Sequence, residues 1–118
     1  MWMTRMLVQP VVVAALTTIG MMAHAAAQDP AAIARGQEVY TAQKCQLCHA
    51  VAGKGNKTNP LDGVGAKLSA DDLKQWILHP ADMSAKAKST KKPPMPAKYG
   101  GLPAADVEAL VAYLQSLK

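Results

Sequence analysis

Cys45-Gln46-Leu47-Cys48-His49 sets two thiols three positions apart and an imidazole directly after the second, and it uses both cysteines of the chain. Thiols at this spacing lie about one helical turn apart, so both can add to the two vinyl groups on one edge of a porphyrin. The imidazole that follows can then reach the iron from one face. Cys-x-x-Cys-His is the attachment signature of c-type haem, and it predicts one covalently bound haem c. Two rival chemistries each lack a part. A structural zinc site takes four ligands, usually from two such pairs, and no second pair is present. A thioredoxin-like dithiol sits in a strand-helix-strand setting that the flanking residues do not supply. A lone disulfide or a weak metal site is the remaining alternative.

Three residues downstream could serve as the second axial ligand: His79, Met83 and Met95. Met95 lies in Lys92-Pro93-Pro94-Met95-Pro96, a stiff extended stretch that can hold a thioether in place without a helix or strand behind it. A loop methionine ordinarily fills gaps, but a haem with one protein ligand calls for another. Met95 is therefore preferred to Met83, and both to His79 or an open position. His79 directly precedes Pro80, where it reads as a helix end cap. Trp76 reads as core, and its indole N–H is also a candidate donor to a haem propionate. Tyr99, just past the Met95 loop, is a candidate for packing on the haem edge or bonding a propionate. With His49 and Met95 both on the iron, small ligands find no free site and the soft thioether favours the reduced metal. Outer-sphere electron transfer then needs no catalysis. The chain shows no carboxylate cluster for acid-base work, since Asp71 and Asp72 read as the charged first turn of a helix, so it is expected not to be an enzyme.

The elements that must position these groups are predicted to be three helices, with no convincing strand. Asp29 can cap the first, with Pro30 at its first position and Ile33, Gly36 and Tyr40 on one face. Gly36 is expected to admit the backbone of the last helix. Ser69 and Asp72 form an aspartate version of a capping box at the start of the second, whose apolar stripe is Leu73, Trp76 and Ile77 and which Pro80 ends. The third runs from about Ala104 to Leu117, with Val107, Leu110, Val111, Leu114 and Leu117 at helical intervals. Ala85 to Gly101, rich in Lys, Pro and Gly, reads as a loop.

The N-terminal residues look like an export signal. Arg5 supplies the positive region, Met6 to Met22 are apolar apart from Gln9, Thr17 and Thr18, and Ala23-His24-Ala25-Ala26-Ala27 offers small residues for cleavage. Cleavage after Ala25 or Ala27 gives a signal peptide over 1–27 and a haem domain over 28–118, of 91 to 93 residues. An uncleaved membrane anchor is the alternative, long enough only if Val11 to Met22 is extended across Pro10. A core of this size is marginal alone, and the chain has no Phe, so haem must supply much of the apolar interior.

Gly36 and Tyr40 before the attachment motif, Asn59-Pro60-Leu61 after it, Pro94-Met95-Pro96, and a closing helix with Leu110 and Tyr113 together resemble the class I c-type cytochromes, small exported monohaem electron carriers. The resemblance covers essentially the whole mature chain. It implies an all-α, cytochrome c-like fold with about three main helices and loops wrapped around one haem. It implies thioethers at Cys45 and Cys48, His49 as proximal ligand, Met95 as distal ligand, and a loop at Pro60 whose backbone carbonyl steadies the His49 ring. Two positions depart from the family: Asn59 stands where Gly is frequent, and Pro103 where the last helix often begins with Ser or Thr.

The expected function is a diffusible periplasmic carrier of single electrons. A fixed haem subunit of a larger dehydrogenase or oxidase complex is the alternative, and a haem enzyme or ligand sensor a third. Loss of Arg5 with the signal leaves twelve basic residues against eight acidic ones, a balance of +4. Lys86, Lys88, Lys91, Lys92 and Lys98 bracket Met95, and Lys44, Lys54 and Lys57 flank the motif. This ring is expected to steer the haem edge toward an acidic patch on a redox protein. Nucleic acid is not an expected partner, and membrane contact is expected only in passing or through a partner.

Overall fold

A computed structural model describes residues 29–118; the expected signal segment over 1–27 lies outside them. Five α-helices are present among the described residues: α1 (Pro30–Ala42), α2 (Val64–Lys67), α3 (Ala70–Leu78), α4 (Pro80–Lys86) and α5 (Ala104–Gln115). Short 3-10 turns cover Cys45–Leu47 and Ala97–Gly101, and a small hairpin joins β1 (Ala50–Val51) to β2 (Lys54–Gly55).

Helices α1 and α5 form the frame. The Asp29 carboxylate accepts from the Ala31 N–H at 3.1 Å, satisfying one of the free donors of the first turn, where Pro30 has none to satisfy. Gly36, Val39 and Tyr40 are buried on α1, against the apolar run Val107 to Leu114 of α5. A Cβ on Gly36 would collide with the Ala109 carbonyl oxygen and the Tyr113 Cβ, so the crossing needs glycine. One turn on, Tyr40 and Tyr113 meet edge to face with ring centroids 5.5 Å apart. Gly36→Ala is therefore expected to lower stability by about 1–3 kcal/mol, the usual range for overpacking. A urea midpoint for the haem-loaded protein measures it, and an unchanged midpoint would mean the crossing relaxes freely.

Helix α3 starts where the sequence places it. Ser69 Oγ accepts from the Asp72 N–H at 3.0 Å, and Leu73 and Ile77 enter the core. It stops at Leu78, and Pro80 opens a helix of its own, α4. Proline can do both, because its missing N–H is an orphan at a helix start and a defect in a helix interior. The short helices α2 and α4 and the hairpin go beyond the three helices the sequence predicts: four or seven residues, or two per strand, are too few for a period to show. The hairpin turn has Ala52 and Gly53 both at positive φ, the geometry that matches strand twist. At the chain's end, the Gly65 N–H donates to Leu117 O at 2.8 Å, binding α2 to the tail of α5.

Candidate functional site

The core of Val39, Tyr40, Leu73, Ile77, Val107, Leu110, Val111, Tyr113 and Leu114 borders a cavity of about 620 Å³. That volume falls within the ~300–1,000 Å³ of small-molecule sites. Its wall takes Tyr40 from α1, Cys45 and His49 from the attachment motif, and Asn59 to Leu61 from the loop beyond. Leu73, Trp76 and Ile77 come from α3, Leu110 and Leu114 from α5, and the segment from Ser84 to Met95 closes it. Most of this wall is apolar, and it contains no carboxylate.

Lys44, in left-handed conformation at φ 57°, turns the chain out of α1 and into the motif. Within the motif, the N–H groups of Cys48 and His49 both donate to Cys45 O, at 3.1 and 2.9 Å. The outward-facing carbonyls of the same turn are taken up by Asn56, whose N–H bonds Gln46 O and His49 O at 3.0 Å each. Its side-chain amide donates to Leu47 O at 3.2 Å and accepts from the Thr58 N–H at 3.0 Å. Gly55 sits at φ 106°, and a Cβ there would strike the His49 carbonyl oxygen. Gly55-Asn56 is thus the bed on which the motif lies. In the sequence it reads only as a turn signal.

His49 Nδ1 lies 3.0 Å from the carbonyl oxygen of Asn59, and donating to it leaves Nε2 with a free lone pair. Burial holds the imidazole below its usual pKa, against the opposing pull of the Asn59 carbonyl, so the ring is neutral at pH 7 and competent as a metal ligand. Only the backbone of Asn59 is used, which is why a residue other than glycine is tolerated here. Leu61 N–H donates to Ala50 O at 2.8 Å, pinning this loop to the hairpin.

Burial pushes the Cys45 thiol up to about 11, while Cys48 is exposed beside Leu47, which is 66 % exposed. Tyr40, also buried, has its phenol raised to about 12, chiefly by desolvation, and its hydroxyl has no partner among the described residues. Met95 is half-buried and lines the cavity. Met83, half-buried on α4, and His79, exposed between α3 and α4, do not. Trp76 lines the cavity; Tyr99 packs against the core outside it, with the Lys98 ammonium 5.2 Å from its ring centroid. Burial first, then the thiols of Cys45 and Cys48, raise the Tyr99 phenol above its usual value. Ser84 on α4, and Ser89 and Thr90 in the segment after it, also line the cavity, with no sequence signal to mark them.

These residues fit a haem. The Cys45 thiol, a neutral imidazole and a thioether share an apolar chamber, the Cys48 thiol stands exposed at its outside edge three residues on, and nothing in the wall repels an anionic porphyrin. The family model described as Cytochrome c matches residues 33–118. The curated "Cytochrome c oxidase subunit 2" of Alkalihalophilus pseudofirmus is 31 % identical over 93 residues, covering 71 % of this chain and 25 % of that protein. The chain thus spans about a quarter of that relative's length. No solved structure matches. By motif, helical architecture and family match over most of its length, the chain belongs to the cytochrome c family, whose members carry covalently attached haem c and transfer electrons to and from redox partner proteins.

Proposed function

We propose that this chain is an exported, freely diffusing carrier of single electrons, with Cys45 and Cys48 as haem thioethers and His49 and Met95 as axial ligands. The observation that carries this reading is one apolar chamber with Cys45, His49 and Met95 all in its wall. Bound there, haem supplies an Fe(II)/Fe(III) couple. The protein's part is to hold a neutral His49 through Asn59, offer a thioether from a proline-braced segment, and exclude water with aliphatic walls. No carboxylate lines the chamber to move a proton, which favours a carrier over an enzyme. Export rests on the signal-like segment over 1–27, and no helix among the described residues is long and apolar enough to cross a membrane.

The likeness to an oxidase subunit favours the second reading, a fixed relay within a complex. Size exclusion of native extract separates the two. A haem peak at monomer size supports the carrier, and stable co-elution with an oxidase supports the subunit.

The partner in this reading is a redox protein with an acidic patch, drawn to the lysines around the attachment edge. Lys91 is a poor probe of docking, because its ammonium already donates to Thr58 O at 3.1 Å. Lys54 and Lys57 are exposed and flank the motif. Stopped-flow reduction by the partner is expected to slow as ionic strength rises, and Lys54→Glu with Lys57→Glu to slow it about tenfold at low salt. A rate indifferent to both would mean apolar docking or transfer inside a permanent complex.

A further inference from the structure

We infer that Lys88 is the counter-ion of a haem carboxylate. Its strand of wall, with Ser89, Thr90 and Lys91, is the polar end of the chamber. A haem brings two carboxylates into its pocket, and the wall includes two lysines, Lys88 and Lys91, with no acidic residue to compete for them. Lys91 is committed in part to Thr58 O, which ties this segment to the loop before Pro60. Lys88 makes no side-chain hydrogen bond within the described residues.

Its backbone carries a second, independent sign. The end of α4 is closed by Ser89 N–H to Ser84 O at 3.0 Å and Lys88 N–H to Ala85 O at 3.1 Å, a paired motif whose left-handed position normally falls to glycine. Here Lys88 occupies it, at φ 51°. A lysine kept in a position that glycine would fill with less strain calls for a reason in its side chain, and Lys88 is part of the chamber wall. Glycine would suit the turn better and would leave the carboxylate unpaired.

The inference rests on the haem reading and is separable from it. Lys88→Gly and Lys88→Met are expected to keep the covalent haem stain and the low-spin spectrum while lowering the reduction potential. A cation removed from beside the haem no longer favours Fe(II), and the propionate-bending band in resonance Raman is expected to move. Lys88→Arg should restore both, and Lys86→Met, whose parent residue is outside the wall, should change neither. Lys88→Gly should also raise the unfolding midpoint by relieving the turn, so a fall in potential there cannot come from damaged structure. Unchanged potential and Raman band in the Gly and Met variants would overturn the inference, as would an equal shift in Lys86→Met. Absence of covalent haem from the parent chain would remove the haem reading and this one with it.

Discussion

Met95→Ala is expected to convert six-coordinate, low-spin iron into a form that binds cyanide and carbon monoxide, and to lower the reduction potential by a sizeable part of the ~0.8 V over which axial ligands act. A thioether stabilises Fe(II), so its loss moves the couple toward the oxidised state. The fold should tolerate the change, since the half-buried Met95 belongs to the chamber wall and is not part of the buried core. Met83→Ala is the control. Met83 sits on α4, away from the chamber, and its variant should keep the parent spectrum and potential. If the two variants behaved the other way round, the distal ligand would be Met83, and the family assignment would stand.

Cys45→Ala with Cys48→Ala is expected to abolish the haem stain on denaturing gels and to cost the domain its tertiary structure. Thioethers survive conditions that strip a haem held by ligands alone, so the stain is a direct readout. The folding effect follows from size. At ~24 cal/mol per Å³, leaving 620 Å³ of mostly apolar chamber unfilled would cost about 15 kcal/mol, an upper figure because the chamber is open. A third of that matches the lower end of the roughly 5–15 kcal/mol by which domains are stable. Near-ultraviolet circular dichroism should flatten and urea unfolding lose its cooperativity. A double variant that kept a sharp transition would show that the helices close without the cofactor.

What could be read from the sequence was local. Asp29 and Ser69 signal their helices because a cap acts within three residues, and Val107 to Leu114 signal theirs because one face repeats. Gly36 was legible as a point of close approach, since a glycine inside a helix has few other reasons to be there. Asn56 was not legible: its value lies in three carbonyls seven to ten residues earlier in the chain, which only the fold presents together. Lys88 and Lys91 read as part of a docking ring around Met95, because sequence spacing does not reveal which loop residues line a cavity. Trp76 and Tyr99 seemed equivalent aromatic candidates, yet one lines the chamber and the other packs outside it.

The ion pair between Arg35 and Asp106, at 3.1 Å, joins residues 71 positions apart, next to Gly36, whose crossing is with Ala109 and Tyr113. Bringing ends so distant together costs roughly 4 kcal/mol of chain entropy, and no part of the frame can assemble until α5 exists. In an exported chain the attachment motif crosses the membrane some fifty-five residues ahead of that helix. The cysteines therefore emerge on an open chain. The topology thus leads to an expected order, thiols accessible first and the last helix closing the molecule over whatever has been joined to them. A chain truncated before Ala104 should still accept haem and never bury it.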